Sequence, residues 1–349
     1  MNETMKAIIK VRPEPGGLEM RDVPVPTPGD NEALICIKKV AICGTDLHIY
    51  NWDAWSQHRL KLPRIIGHEF AGEIVAVGSN VKRFKVGDYV SGEGHLFCGV
   101  CQMCRTGQAH ICENWLGLGY DCDGAFAQYV ALPETNLWLN DASVAPEVAA
   151  IQDPLGNAVH AVFAADCVTK KVVVFGCGPV GLLAVAVLHA IGAAQVIALD
   201  RHNEYRMNLA REVGATHVLD VAAVDDVPAA IRKITGGKGA DVVIEIAGTA
   251  PAVRAAVQSV HPGGDLILLG LPSEPVSFDV SEEIVFKAIR IHGICGRKIY
   301  DTWYRMAGLL KNTNIMLDKI ITHHFPFDDY EKGFELMRAG NCGKVILEL

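Results

Sequence analysis

The chain has 349 residues, with 32 Lys and Arg against 40 Asp and Glu, which gives a formal net charge of −8. Apolar residues make up 50% of the chain and charged residues 21%, a composition that excludes intrinsic disorder and allows a large buried core. Because a single core stops growing at about 250–300 residues, two domains are predicted, and the acidic charge argues against nucleic-acid or anionic-membrane partners.

The cysteine content and the N-terminal sequence predict a reducing, cytoplasmic environment. Eleven cysteines is an odd number, and residues 1–17 contain no apolar stretch of signal-peptide length. Residues 172–199 contain no Asp, Glu, Lys or Arg and are long enough to cross a membrane. Glycines and a proline divide this segment into strand, turn, helix and strand, so we reject a membrane span.

The first part of the chain, from Met5 to about Ala131, predicts a β-rich domain without helices, that is, an all-β domain. Short β-rich runs alternate with turns that contain Gly, Pro and Asp. The predicted strands are Ala33–Val40, Ala71–Val77, Tyr89–Ser91 and Ala127–Ala131. Two fragments in this domain carry metal-binding residue types, Cys43 to His48 and His68-Glu69. No second histidine follows His68 at helical spacing, which excludes the H-E-x-x-H protease motif.

A cluster of cysteines in residues 98–112 predicts a structural zinc site. The spacing is Cys-x2-Cys-x2-Cys-x7-Cys, and the ligands are Cys98, Cys101, Cys104 and Cys112. Four thiolates complete a closed tetrahedral shell, which holds a loop together and leaves no position for substrate. Ordinary buried cysteines and a nucleic-acid zinc ribbon are the alternatives; the spacing argues against the first and the acidic charge against the second.

From about Lys171 to Gly296, apolar strands alternate with helix-length amphipathic segments, which predicts a doubly wound parallel sheet. The predicted strands are Val172–Phe175, Val196–Leu199, His217–Leu219, Val242–Glu245, Leu266–Leu269 and Ile291–Ile294. Two helices are clear, Leu182–Ile191 and Glu204–Val213, and each is followed by a glycine that suits a left-handed cap. Beyond Gly296 the alternation ends. The tail predicts helices at Thr302–Lys311 and Asp328–Arg338, the second with a capping box to Glu331, and a strand at Lys344–Leu347.

A glycine-rich turn in this region predicts a dinucleotide site. Gly176, Gly178 and Gly181 form G-x-G-x-x-G between a strand and a helix, and Asp200 ends the next strand. The glycines allow a tight turn and a close backbone approach to the pyrophosphate, and the carboxylate can bind the adenosine ribose. A carboxylate repels the 2′-phosphate of NADP, so NAD is predicted, although the neighbouring Arg201 is a residue type that moderates this preference.

Taken together, the fragment G-H-E-x-x-G at 67–72, the cysteine cluster and the glycine-rich turn resemble the zinc-dependent medium-chain dehydrogenase/reductase family. The resemblance spans almost the whole chain and implies a two-domain α/β fold. It implies a β-rich GroES-like catalytic domain over residues 1–155, a Rossmann domain that binds NAD over 156–296, and a return to the catalytic domain over 297–349.

The resemblance also implies roles for individual residues. Cys43, His68 and Glu69 match the ligands of a catalytic zinc, and Thr45 and His48 match a relay that carries the substrate proton to water. The implied NAD-contacting positions are Gly176, Gly178, Val180, Gly181, Asp200, Arg206, Leu269, Gly270, Leu271, Ile294 and Cys295.

Three further residues are expected near the catalytic zinc. Asp153 stands where alcohol dehydrogenases have a cysteine ligand, and we assign it a catalytic role, either as a zinc ligand or as a proton relay. Asp46 matches the carboxylate that orients the histidine ligand, and His95 is expected to line the substrate pocket or to be structural. In the second domain, the turn at Arg201-His202 is one residue longer than usual in the family, which affects the reach of Arg206.

The segments 153–160, 293–304 and 321–325 resemble members of the family that oxidise threonine. They imply NAD-dependent oxidation of the secondary hydroxyl of L-threonine to L-2-amino-3-oxobutanoate, with one catalytic and one structural zinc per chain, in a homotetramer. Two alternatives stay open: a polyol or 2,3-butanediol dehydrogenase with the same residues, and a non-catalytic regulator that binds NAD.

Overall fold

The computed structural model describes residues 3–349, which form two compact units. The first consists of the chain up to Asp153 together with Ile321–Leu349, and the second is Pro154–Ile320. The strands are β1 Thr4–Lys10, β2 Leu18–Pro24, β3 Glu32–Ala41, β4 Arg64–Ile65, β5 Glu69–Val77, β6 Tyr89–Gly92, β7 His95–Leu96, β8 Leu116–Gly117, β9 Tyr129–Pro133, β10 Leu137–Leu139, β11 Lys171–Phe175, β12 Gln195–Asp200, β13 His217–Asp220, β14 Ala240–Glu245, β15 Val260–Leu268, β16 Arg290–Gly293, β17 Ile321–Pro326 and β18 Lys344–Glu348. The α-helices are α1 Gly44–Asn51, α2 Ala54–Arg59, α3 Gln102–Arg105, α4 Pro146–Ala150, α5 Gln152–Val162, α6 Pro179–Ala190, α7 Glu204–Glu212, α8 Val227–Thr235, α9 Ala250–Ser259, α10 Asp301–Asn312 and α11 Tyr330–Ala339.

The first unit is built around a seven-stranded sheet with the order β10-β6-β5-β3-β18-β17, in which β9 also pairs with β3. Strand β3 pairs antiparallel with both β5 and β18, and its last residue, Ala41, lies opposite Glu69 and Ile346. The register therefore brings the start of β5 and the start of β18 to the end of β3, immediately before Cys43. Apolar side chains of these strands, such as Ile35, Phe70 and Val345, form the core of this unit.

The prediction of a β-rich first domain is confirmed, but the domain is not all-β. Helices α1 and α2 separate β3 from β4, and α3 lies within the cysteine cluster. Helix α1 begins directly after Cys43, whose backbone N–H donates to the Asp46 carboxylate in a reciprocal cap. The eight residues of α1 bury only Asp46 and Ile49, so no periodic apolar face marks this helix in the sequence.

The second unit contains a six-stranded parallel sheet with the order β13-β12-β11-β14-β15-β16, so the predicted doubly wound sheet is confirmed. The chain enters this sheet at β11 and then builds outwards on both sides, which makes the carboxyl end of β11 the point where the strand order reverses. The predicted glycine caps are present, with φ of 86° at Gly192 and 111° at Gly214. No helix in residues 3–349 is both long and apolar enough to cross a bilayer.

The tail differs from the prediction in two places. The chain returns to the first unit at Ile321 and not at residue 297, because α10 buries Trp303 and Met306 within the second unit. The predicted capping box of Asp328 and Glu331 is wrong: α11 begins at Tyr330 without a side-chain cap, and Asp328 pairs with Lys6 instead, at 3.1 Å.

Candidate metal and cofactor sites

Cys43, His68 and Glu69 come together in the first unit, where one ligand atom of each lies within 4.8 Å of the others. Cys43 caps α1, Glu69 opens β5, and His68 immediately precedes it. His68 is 8% exposed and Glu69 is fully buried. The sequence-predicted ligands of a catalytic metal are thus neighbours in space, although they come from two separate segments. We call this group the catalytic centre.

The electrostatics of the catalytic centre call for a cation. Burial alone lowers the pKa of His68, but the Cys43 thiolate and the Asp46 carboxylate outweigh it and raise this pKa to about 10. Burial raises the pKa of Glu69 and of Asp46. Glu69 Oε1, His68 Nδ1 and Asp46 Oδ1 are buried without hydrogen-bond partners among the described residues. A sulfur, a nitrogen and a carboxylate oxygen suit zinc, whose charge would satisfy these groups.

Lys344 completes the centre, and sequence reasoning assigned it no role. Its ammonium donates to Glu69 Oε2 and, at 2.8 Å, to the carbonyl of Ile42, and the side chain is 1% exposed. Burial lowers the pKa of Lys344, but the Glu69 and Cys43 charges outweigh it, so the net pKa is raised and the residue stays cationic. The one signal in the sequence was a lysine that opens an otherwise apolar final strand.

The predicted relay residues Thr45 and His48 both lie on α1. Thr45 Oγ1 is 3.9 Å from Cys43 Sγ, and His48 is exposed in the last turn of the helix. Asp46 Oδ1 is 3.9 Å from His68 Nδ1, which is near enough for charge attraction but too far for a hydrogen bond. The orientation of His68 by Asp46 therefore stays a prediction.

Asp153 is 5% exposed near the start of α5. Its charge raises the pKa of both His68 and Glu69, so it lies near the catalytic centre. It does not belong to the group whose ligand atoms all lie within 4.8 Å. This geometry favours a role beside the metal ligands over a role as one of them.

A row of aromatic rings connects His95 to the catalytic centre. The His95 ring is 4.8 Å from Trp115, Trp115 is 6.2 Å from Tyr120, and Tyr120 is 6.4 Å from His68. The guanidinium of Arg59 lies over Trp115 at 5.0 Å. His95 is therefore separated from the metal ligands by two rings.

The four cysteines of residues 98–112 form the second candidate metal site, which we call the cysteine lobe. Sulfur–sulfur distances are 3.5 Å for Cys101–Cys104, 3.8 Å for Cys101–Cys112 and 3.5 Å for Cys98–Cys112. A tetrahedron with Zn–S bonds of about 2.3 Å has edges of about 3.8 Å, so the spacing fits a zinc ion.

Backbone N–H groups in the cysteine lobe point at the sulfurs. The N–H of Cys98 donates to Cys112 at 3.4 Å, and the N–H of Cys101 donates to Cys98 at 3.4 Å. The N–H groups of Val100 and Cys101 lower the pKa of the Cys98 thiol to about 6, whereas loss of solvation and the neighbouring thiols raise that of Cys104 to about 12. N–H donors that stabilise thiolates are what a metal-binding knuckle requires.

The glycine-rich turn lies where the strand order of the parallel sheet reverses. Gly176 follows β11 with φ of 99°, and α6 begins after Gly178. A Cβ on Gly181 would lie 1.8 Å from the carbonyl oxygen of Gly176, so only glycine allows the helix to pack this closely on the turn. Val180 lies in the first turn of α6, where backbone N–H groups are free to bind phosphate.

Asp200 ends β12, and its Oδ1 accepts the backbone N–H of Arg201 at 2.9 Å. Its Oδ2 is buried without a hydrogen-bond partner among the described residues, and burial raises its pKa. Arg206 lies in the first turn of α7 and its charge acts on Asp200. In the turn after Asp200, His202 lies in the left-handed region with φ of 52°, and its backbone N–H donates to Asp220 Oδ1 at 3.1 Å.

The remaining predicted NAD positions follow β15 and β16. Leu269 and Gly270 donate to the carbonyl of Glu245 at 3.0 Å, and Ile294 donates to Leu268 at 2.9 Å. Leu271 is 88% exposed, and Cys295 is also exposed. Because carboxyl ends of parallel strands meet at one edge of a sheet, these positions share an edge with Gly176 and Asp200.

Comparisons with known proteins agree with this geometry. Residues 29–141 match the alcohol dehydrogenase GroES-like domain, and residues 179–312 match the zinc-binding dehydrogenase domain. The L-threonine 3-dehydrogenase of Bacillus licheniformis is 48% identical over 347 residues, which is 99% of each chain. Two solved structures superpose with a TM-score of 0.90 at 29% identity over the whole of both chains: a zinc-binding dehydrogenase from Sinorhizobium meliloti bound to NADP, and an alcohol dehydrogenase from E. coli with NADH.

Proposed function

Because this chain belongs to the zinc-binding dehydrogenases that carry an alcohol dehydrogenase GroES-like domain, we propose that it oxidises L-threonine with NAD. The product is L-2-amino-3-oxobutanoate, formed by removal of hydride and a proton from the secondary alcohol. The observation that carries this proposal is 48% identity to an L-threonine 3-dehydrogenase over 99% of the chain, together with a buried Cys43–His68–Glu69 group.

The residues of the catalytic centre would have separate roles in this reaction. A zinc ion held by Cys43, His68 and Glu69 would lower the pKa of a hydroxyl bound beside it, and NAD would accept the hydride. Thr45 would accept the hydroxyl proton, and His48, at the exposed end of the same helix, would release that proton to water. Lys344 holds one oxygen of Glu69, which leaves the other for the metal. Asp153 adds a carboxylate that suits the ammonium group of an amino-acid substrate.

Residues of the second unit support NAD as the cofactor. Asp200 offers a buried, unpaired oxygen at the end of β12, where the adenosine ribose binds in this fold. A 2′-phosphate there would meet the carboxylate, and Arg206 is part of the same electrostatic surroundings. The cysteine lobe would hold the second zinc, which has a structural role.

We extend the proposal to a homotetramer in the cytoplasm. Strand β16 forms the outer edge of the parallel sheet, and apolar residues near it are exposed, including Phe286 at 74% and Ile291 at 43%. An exposed edge strand beside apolar side chains suits pairing with a second copy. The cysteines of the described residues are all free, which agrees with a reducing compartment.

Steady-state NADH formation tests the proposal. The substrates are L-threonine, (R)-3-hydroxybutyrate, which keeps the configuration of the threonine carbinol carbon but lacks the amine, 2,3-butanediol and sorbitol, each with NAD and with NADP. We expect kcat/KM to be highest for L-threonine with NAD, and to fall by about 10²-fold or more without the amine, since the buried partners of that amine stay unpaired. A higher kcat/KM for 2,3-butanediol or sorbitol assigns the chain to polyol oxidation. No turnover of any alcohol, with NAD bound, leaves the regulatory alternative.

A further inference from the structure

Asp53, which lies outside the metal ligands, contacts the imidazole of His48. Asp53 Oδ2 is 2.5 Å from His48 Nδ1. The ring of Trp55 packs edge-on against the same imidazole, with centroids 6.3 Å apart. The His48 side chain is 61% exposed, so packing alone does not fix its orientation, and the carboxylate provides a directional contact.

The backbone between the two residues brings them together. Helix α1 ends at Asn51, and Trp52 adopts a left-handed conformation with φ of 53° and ψ of 47°. This turn makes Asp53 the N-cap of α2, and its backbone N–H donates to the carbonyl of His48 at 3.4 Å. The side chain of Asp53, which caps α2, therefore faces the last turn of α1.

The two carboxylate oxygens of Asp53 have separate partners. Oδ1 accepts both the backbone N–H and the hydroxyl of the buried Ser56, each at 3.0 Å, and Oδ2 is left for His48. Because the cap fixes Oδ1, the direction of Oδ2 is fixed as well. Partial burial raises the pKa of Asp53, but the bonds from Ser56 and His48 outweigh it and hold this pKa below its usual value. The carboxylate is therefore ionised at neutral pH.

We infer that Asp53 is a positioning residue that selects the tautomer of His48 for proton transfer. An ionised carboxylate accepts only, so the neutral imidazole carries its proton on Nδ1 and leaves Nε2 free to accept one. The proton that arrives at Nε2 forms an imidazolium, which the carboxylate stabilises, and the same proton then passes to water. The inference rests on the proposed function, because His48 acts only when a substrate hydroxyl loses a proton.

Asp53→Asn tests the inference with little structural change. Asparagine caps helices as well as aspartate does, and its oxygen can keep both bonds from Ser56. Its NH₂ group would face His48 and would favour the tautomer with the proton on Nε2. We expect kcat for L-threonine to fall by about 10- to 100-fold with KM nearly unchanged. The matched control is Asp226→Asn, the same substitution at the N-cap of α8, where the carboxylate bonds the backbone N–H of Ala229; we expect kcat within about twofold.

A double variant and a spectrum complete the design. In a His48→Ala background, Asp53→Asn should lower kcat no further, because the two residues act as one unit. In ¹⁵N NMR of the zinc-loaded protein, the His48 signal, assigned by its loss in His48→Ala, should show the Nδ1–H form and change to Nε2–H in Asp53→Asn.

The outcomes separate the two proposals. If the unmutated enzyme fails to oxidise L-threonine, the proposed function is wrong, and the NMR tautomer still tests Asp53. If His48→Ala lowers kcat but Asp53→Asn does not, or if the wild type shows the Nε2–H form, the inference about Asp53 is overturned.

Discussion

The cysteine lobe and the catalytic centre differ in where their ligands come from and in how far they are buried. The lobe takes four thiols from residues 98–112, three of them partly exposed. The centre takes ligands from the N-cap of α1 and from the start of β5, and Lys344 on β18 contacts Glu69, 275 residues away in the chain. The lobe is one short segment that provides all four ligands for a metal ion. The centre depends on distant parts of the first unit, and a metal with only three protein ligands would keep a position open for a substrate oxygen.

The largest expected difference between the two sites is in activity. Cys43→Ser should lower kcat/KM by at least about 10³-fold, since the metal contributes several kcal/mol to the transition state. The protein should still fold and bind NAD, and its zinc content should fall from two ions to one per chain. Cys36→Ser, which changes a thiol on the preceding strand β3, is the control and should keep full activity. Retention of more than about a tenth of the activity by Cys43→Ser would contradict the assignment.

Lys344→Met tests whether the centre depends on its buried ion pair. Removal of the lysine leaves the fully buried Glu69 without its cation, so the free energy of unfolding of the metal-free protein should fall by about 3–5 kcal/mol in denaturant titrations. The matched control is Lys39→Met on the adjacent strand, whose partner Glu348 lies at the surface; its loss should cost about 1 kcal/mol or less. Addition of Glu69→Gln to Lys344→Met should recover part of the stability. Equal losses for the two lysines would show that burial of the pair is unimportant.

Cys101→Ser should have a smaller and local effect. The lobe is a short segment with few strand contacts, so loss of its metal should open residues 98–112 and leave the sheets folded. We expect Tm to fall by roughly 4–8 °C, the equivalent of about 2 kcal/mol, with new protease cleavage confined to the lobe. Cys122→Ser, which changes a thiol outside both sites, should show neither effect. A Tm unchanged by Cys101→Ser would mean that the lobe holds no stabilising metal.

The pH dependence of the metal-free protein should reveal the charge of the catalytic centre. The pKa of His68 is raised from 6.5 to about 10, so its protonation stabilises the fold fully below pH 6.5 and this contribution is lost as the pH rises towards 10. The raised pKa values of Asp46 and Glu69 act in the same direction. After removal of zinc by a chelator, Tm should fall as the pH rises above 6.5, and less so in His68→Asn. The zinc-loaded protein should not show this slope, and a rising Tm in the metal-free protein would contradict the assignment.

The local features of both units were predictable from the sequence. The cysteine cluster and the G-x-G-x-x-G turn each lie within one short segment, so the residue types and their spacing are enough to predict the site. The six parallel strands were also found, with shifts at their ends such as the start of β15 at Val260. Their apolar runs reflect burial on both faces, which is a strong local signal.

Features that depend on how the folded backbone brings side chains together were not predictable. In the sequence, Lys344 resembles a surface lysine, and only the pairing of β18 with β3 shows that it is buried. Asp53 resembles an ordinary helix cap, and only the left-handed conformation of Trp52 shows that it faces His48. The return of the chain to the first unit was predicted at residue 297 but occurs at Ile321. The apolar pattern of α10 is the same whichever unit buries it, so the sequence does not distinguish the two. In each case the deciding information is which surface the residue packs against.

The late position of Lys344 has a consequence for the order in which the protein matures during synthesis. The thiols of the lobe lie at most 14 residues apart and leave the ribosome within seconds of one another. Glu69 and Lys344 are separated by 275 residues, which at about 5–20 residues per second is a delay of roughly 15–55 s. During that interval the nascent chain can already bind zinc at the lobe, whereas Glu69 still lacks the ammonium group that holds it in place. The structural metal is therefore expected to be acquired first.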